Sequence, residues 1–344
     1  MATKKQVRVV IVGCGGMANA WANVAKQMRD VQVVGLVDIN PDAAKAFAER
    51  HAWSPSIVYP SLKAALRDAK PDAVFDVTIP DAHDKVTIEA LKAGCHVMGE
   101  KPMAVSLAKA QRMVRTAQEA GRTYAVIQNR RYEPNIQRVR KALAAGKIGQ
   151  VEEVHSDFYI GAHFGGFRDE MDYPLIVDMA IHTFDAARYI SGADPVAVYC
   201  HSFNPGHSWY KGDASAVAIF EMTDGIVYSY RGSWCSEGMN NSWNSDWRII
   251  GSKGSLTWNG ADQIKGQAIK PRGKKAFTSE LADFTPPAKT VKHQGHAGLI
   301  REFVRCIQTG GTPQTICTDN IKSLAMVLAA VKSAKTGKRV KVTW

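Results

Sequence analysis

The stretch HVMGEKPMAV (96–105) sets an acid, an ammonium and a proline in succession, at Glu100, Lys101 and Pro102, directly after a buried-looking apolar run. A solvated turn accounts for glycine, proline and charge as well as a reactive corner does, so its meaning depends on its flanks. In YPLIVDMAIHTFDAARYISG (173–192), Asp178 and His182 are four apart and Asp185 is three further on, spacings that share one face of a helix. Ile176, Ala180, Phe184 and Ala187 take the opposite face, so the helix reads as buried, with a polar stripe along a cavity. A histidine satisfied by a nearby carboxylate explains Asp178 and His182. A metal half-site is the other reading, but no second histidine pair at ligand spacing supports it. The strand before this helix adds Tyr159, His163 and Phe164, followed by Arg168 and Asp169.

A third stretch, VVIVGCGGMANAW, holds Gly13, Gly15 and Ala18 as G-x-G-x-x-A between a strand and a helix. Gly13 permits a tight turn, Gly15 a close approach of backbone to a pyrophosphate, and Ala18 close packing of helix on strand. The helix N-terminal N–H groups then face the anion. Asp38 closes the second strand 20 positions after Ala18. A carboxylate there accepts the ribose hydroxyls and repels a 2′-phosphate, and residues 39–41 are Ile, Asn and Pro, with no arginine to receive one. The motif therefore reads as a dinucleotide site favouring NAD over NADP.

The elements around these residues change character near Asn129. Before it, valine-rich runs at 7–13 and 31–38, then 72–79, 95–99 and 123–128, alternate with helical segments at 17–28, from Asn40 to His51, at 81–93 and from Ser106 to Gly121. Strands apolar on both faces, joined by helices, make a parallel sheet wrapped by helices. After it, a helix at 134–145 leads into strands at 151–160, 195–203, 214–222, 225–234 and 246–258, separated by turn signals, with one helix from Leu175 to Ile190 between them. Helices at 296–309 and 319–336 close the chain. The expected fold is an α/β domain with a parallel, doubly wound sheet over residues 1–129. An α+β domain with a large, mostly antiparallel open sheet is expected over 130–344.

Composition narrows the function classes. With 45% hydrophobic and 22% charged residues over 344 positions, the chain is globular and long enough for two domains. No apolar run spans a bilayer, and the N-terminus shows no export signal, so no membrane partner and a cytoplasmic setting are expected. The six cysteines form no C-x-x-C pair and read as reduced, buried thiols. The net charge of +12 is dispersed, densest at 270–275 and 332–341, without the interleaved aromatics of a nucleic-acid module. No nucleic-acid partner is expected, and the charge suits anionic cofactors.

The order of G-x-G-x-x-A, Asp38, TIPDAH (78–83), GEKP, QNRRYEP (128–134) and Asp-x-x-x-His resembles the glucose–fructose oxidoreductase/inositol dehydrogenase (Gfo/Idh/MocA) family. WRIIGSKGSL (247–256) and SAKTGKRV (333–340) extend the resemblance over nearly the whole chain. Ala18 departs from a third glycine, and Met179-Ala180 fill positions where that family often has one. The resemblance implies a Rossmann domain and a dehydrogenase in which Lys101 and His182 attend the substrate. His182 would accept the hydroxyl proton while Lys101 donates to the same oxygen, with the reverse assignment open. Asp178 would fix the histidine or hold a neighbouring hydroxyl.

It also implies cofactor contacts from Gly13, Gly15, Met17, Asp38, Thr78, Pro80, His83, Glu100 and Asn129, although His83 equally reads as a capping or packing residue. Tyr159, His163, Arg168 and Asp169 are the candidate substrate residues, for a sugar or polyol. Arg131 touches cofactor or substrate, or pairs with an acid. Trp247 reads as packing. Two other classes compete: a glycoside hydrolase using NAD transiently, and a cofactor-binding regulator without turnover. An uncovered sheet face further implies self-association, as a dimer or tetramer through the C-terminal sheet.

Overall fold

The computed structural model describes residues 6–271, Gly273 and 277–344; Arg272, Lys274 and Lys275 of the basic cluster at 270–275 lie outside the described residues. The chain forms two units, one comprising the segment through Asn129 with Lys292–Leu324, the other Arg130–Val291 with Ala325–Trp344. The break after Asn129 thus coincides with the change of texture in the sequence. The segment 292–324, assigned by sequence to the second domain, lies with the first unit.

The first unit runs β1 (Val7–Val12), α1 (Ala18–Lys26), β2 (Val31–Val37), α2 (Pro41–Arg50), α3 (Leu62–Ala69), β3 (Ala73–Asp76), α4 (His83–Lys92), β4 (His96–Gly99), α5 (Leu107–Ala120) and β5 (Tyr124–Val126). Its strands pair in the order β2-β1-β3-β4-β5, all parallel. β1 (VRVVIV) is β-branched on both faces and β3 (AVFD) is apolar up to Asp76, and both are buried almost throughout, as strands covered on two sides must be. Caps set the helix starts. Asn40 accepts from the Asp42 N–H, with Pro41 at the first helical position, and Ser106 accepts from Lys109 N–H. Ser61 caps α3 in the same way, a helix absent from the sequence reading.

The second unit contains α6 (Pro134–Ala144), β6 (Val151–Tyr159), α7 (Ile181–Ser191), β7 (Pro195–Phe203), β8 (Ser215–Met222), β9 (Val227–Ser233), β10 (Asp246–Gly251), β11 (Gly254–Trp258), β12 (Ile264–Ile269) and β13 (Leu281–Phe284). After it come α8 (Gly295–Thr309), α9 (Cys317–Thr336) and β14 (Val340–Lys341). The nine-stranded sheet has the order β13-β12-β11-β10-β6-β9-β8-β7-β14. All its pairs are antiparallel except β6 with β9, which run parallel.

Phe184 of α7 meets Phe220 of β8 and Tyr230 of β9 edge-on, with ring centroids 4.8 and 5.2 Å apart. This is the geometry that ring quadrupoles favour, and it seats α7 on one face of the sheet. Trp247 is buried and stacks between Tyr228 and Trp258, a packing residue as expected. All six cysteines are buried and unbridged. No helix among the described residues is long and apolar enough to cross a membrane.

One expected element differs. Leu175 to Ile190 was read as a single α-helix, but Leu175–Ala180 is π-helical and α7 begins at Ile181. Asp178 and His182 therefore straddle a change of helical pitch, and the regular one-turn spacing does not apply between them.

Candidate functional site

In the first unit, six of the residues singled out by sequence follow the carboxyl ends of the five strands. Gly13 comes after β1, Asp38 after β2, Thr78 after β3, Glu100 and Lys101 after β4, and Asn129 after β5. Gly13 has φ +90, and a Cβ there would lie 2.5 Å from the Val77 carbonyl oxygen, so only glycine fits the turn. Gly15 and Gly16 present the opposite case, since an added Cβ at either meets no protein atom within 4 Å. What small residues leave open there is room for something from outside, as a pyrophosphate cradle requires.

Asp38 is half-buried. Its Oδ2 accepts from the Cys14 N–H at 2.8 Å and its Oδ1 from the Asn40 N–H at 2.9 Å, so one carboxylate ties the glycine loop to the α2 cap. Met17, before α1, and Ile39, next to Asp38 in the chain, are exposed. Burial and the Asp38 charge push the Cys14 thiol up to about 12, which leaves it inert as a nucleophile.

Asp76, fully buried at the end of β3, accepts from the Thr78 hydroxyl at 2.6 Å, the Thr78 N–H at 3.2 Å and the Thr87 hydroxyl at 3.1 Å. Nδ1 of His83 lies 3.1 Å from the same carboxylate and 3.2 Å from the Thr78 hydroxyl. His83 is 1% exposed, and its ring is tied through these contacts to Thr78 at the end of β3. Glu100 is nearly buried as well. Its Oε1 accepts from the Trp21 indole N–H at 2.8 Å and its Oε2 from the Lys101 N–H at 3.2 Å, and the Lys101–Pro102 peptide is cis.

In the second unit, the Arg168 Nε donates to Asp178 Oδ2 at 2.6 Å, joining a candidate substrate residue to a candidate catalytic one. The Arg168 guanidinium lies over the rings of Phe164 and Phe167, at 5.0 and 4.7 Å from their centroids. Phe164 in turn packs against Trp234 and Trp243, and His163 stacks on Trp209 while meeting Glu237 at 2.8 Å. Tyr159 is anchored through its backbone N–H to Asn241, and burial raises its phenol above the usual range. Oδ1 of Asp169 is buried without a hydrogen-bond partner. His182 is half-buried at the second position of α7.

Asp185 does not share an open polar stripe with Asp178 and His182. It is 2% exposed and accepts from Nε and Nη2 of Arg131 at 2.7 and 2.6 Å, a buried bidentate pair. Of the readings open for Arg131, pairing with an acid is the one realised. A guanidinium taken out of water needs a carboxylate in matching geometry, and Asp185 supplies it.

Comparison with known proteins decides the family. Residues 7–128 match the family model described as an oxidoreductase family with an NAD-binding Rossmann fold, and residues 136–257 match the GFO/IDH/MocA C-terminal domain. The chain belongs to the Gfo/Idh/MocA oxidoreductase family. It is 26% identical to inositol 2-dehydrogenase of Rhizobium meliloti (strain 1021), over 98% of this chain and 99% of that one. D-glucoside 3-dehydrogenase of Escherichia coli (strain K12) is 30% identical over 58% of this chain and 59% of its own. The fold is shared with an oxidoreductase from Agrobacterium radiobacter solved with NAD+, L-tartaric acid and magnesium, with a TM-score of 0.86, 22% identity and coverage of 98% and 99%.

Within this family member, three residues near the candidate groups went unnoticed in the sequence. Asp76 was legible as an acid inside the apolar run DAVFDV. Arg130 stands beside Arg131 in QNRRYEP. Its Nη2 lies 3.6 Å from the Met179 sulfur, and removal from water pushes it down to about 9 despite Tyr230 and Glu133 nearby. His296, at the start of α8, lies far along the chain from the corner it belongs to, and no local pattern marks it.

Proposed function

We propose that the protein is an NAD-dependent dehydrogenase that transfers hydride between a secondary hydroxyl of a sugar, glycoside or cyclic polyol and nicotinamide. The observation that carries this reading is the row of Gly13, Asp38, Thr78, Glu100-Lys101 and Asn129 along the carboxyl ends of one parallel sheet, where such folds bind their nucleotide. Gly13, Gly15 and Met17 would hold the pyrophosphate and Asp38 the ribose. Thr78, Pro80, Glu100 and Asn129 would hold the remainder, with His83 supporting Thr78. NAD, when bound, supplies the ring that exchanges the hydride.

The chain's own residues manage the proton. The His182 imidazole accepts it from the hydroxyl, and Nζ of Lys101 donates a hydrogen bond to the same oxygen as it becomes a carbonyl. Asp178, held by Arg168, orients the substrate or the histidine. Tyr159, His163, Arg168 and Asp169 contact the substrate, and the exposed faces of Phe164 and Trp243 suit the C–H surface of a sugar ring. The inositol and glucoside dehydrogenases among the relatives support this substrate class.

The test is the absorbance of reduced nicotinamide when the protein and NAD meet inositols, hexoses, pentoses and glycosides. A signal with one substrate class is expected, falling about 10²–10⁴-fold in Lys101→Ala and in His182→Ala. Glycoside cleavage without net reduction of NAD would instead assign the transient-redox hydrolase. We further propose a cytoplasmic setting and a dimer or tetramer joined through the second-unit sheet. Tyr199, Phe203, Val217 and Ile219 support the self-association, being 43–49% exposed on β7 and β8, with Tyr199 paired across from Ile219.

A further inference from the structure

His296 occupies the first turn of α8, which lies with the first unit. Its Nδ1 stands 3.3 Å from Nδ2 of Asn129, the residue that leaves the parallel sheet through β5. With that amide nitrogen as donor, Nδ1 is the acceptor and the ring proton sits on Nε2. Helix α8 packs against β4, and the Ile127 N–H donates to the Gly99 carbonyl two residues before Asn129, so the imidazole lies toward the corner after β4, where Glu100 and Lys101 act on it. From α1 the corner receives the neutral Trp21, bonded to Glu100, and on α8 itself the Arg301 guanidinium is turned to the Gln27 carbonyl.

Burial holds the His296 ring below histidine's ordinary 6.5; Glu100 opposes this and Lys101 reinforces it. The lowered value favours the neutral ring, and the cation forms on acidification.

We propose that His296 is a positioning residue of the Glu100–Lys101 corner, fixing Asn129 as a neutral ring and, as a cation, setting a second positive charge beside Lys101 that opposes the oxidised nicotinamide. This rests on the dinucleotide reading above and assigns a regulation to that site. Acidification then weakens NAD binding through the nicotinamide end alone.

Equilibrium dialysis of the full chain with NAD and with ADP-ribose, from pH 8 to pH 5, separates the ends of the molecule, because ADP-ribose lacks the nicotinamide cation. In the wild type the ratio of NAD to ADP-ribose affinity falls about tenfold over that range, as a buried like-charge contact requires. In His296→Gln the ratio stays flat, and His296→Asn serves the same purpose should the glutamine variant fail to fold. A variant that keeps the wild-type slope overturns the proposal, as does a flat ratio in the wild type. Wild-type protein that binds neither nucleotide at any pH overturns the dinucleotide reading itself, a failure distinct from the other two.

Discussion

Asp38 spends both carboxylate oxygens on backbone N–H groups, of Cys14 and of Asn40, yet each oxygen retains a second lone pair for a ribose hydroxyl. One side chain therefore shapes the glycine loop and, on the proposed dinucleotide reading, selects the nucleotide. Asp38→Ala removes a charge-assisted bond to the ribose worth about 1.5–3 kcal/mol, so NAD affinity is expected to fall roughly ten- to a hundredfold. NADP affinity should fall less, because the repulsion of a 2′-phosphate goes with the charge. Calorimetric titration with both nucleotides checks this, and an unchanged NAD dissociation constant would remove Asp38 from the site. The pattern G-x-G-x-x-A with its later acid made this residue readable from spacing alone. His296 was not readable, since its relation to Glu100 and Lys101 arises only when α8 returns to the first unit.

At the scale of elements, periodicity and caps located the parallel strands and most helices, because burial on both faces and N-terminal hydrogen bonding leave local marks. The π-helical turn at Leu175–Ala180 left none; it is a matter of backbone pitch, and the side chains of LIVDMA suit either helix. Strand β13, LADF, shows no buried alternation and was passed over for that reason. The polar stripe of α7 was misjudged at Asp185, whose partner Arg131 lies 54 residues earlier. Breaking that buried pair has a definite consequence. Asp185→Ala leaves the guanidinium of Arg131 without its carboxylate and is expected to cost about 3–5 kcal/mol of stability. Replacing both residues with apolar ones of similar volume should recover most of it. Thermal denaturation of the two variants measures the difference, and a loss below about 1 kcal/mol would show that water compensates the arginine.

For the whole molecule, the proposed self-association rests on the sheet's uncovered apolar positions. Val217 and Ile219 on β8 and Tyr199 and Phe203 on β7 face away from the side that Phe184 packs against. Light scattering is expected to give the mass of two or four chains, and Ile219→Lys with Tyr199→Lys should reduce it to one while the melting transition persists. A single-chain mass for the unaltered protein at micromolar concentration would end this idea.

The first unit has one further property, visible in the order of its parts. Phe303 of α8 packs on Phe75 of β3 with ring centroids 6.3 Å apart, and Ile316 bridges to Ala125 of β5. The ribosome delivers the five parallel strands first and this covering helix only after strands β6 to β13. In the interval the nascent sheet carries an unsealed apolar flank around Phe75, open to chaperones. Cutting the chain after Asn129 would make that exposure permanent, so the nucleotide-binding part cannot be harvested as the N-terminal fragment alone.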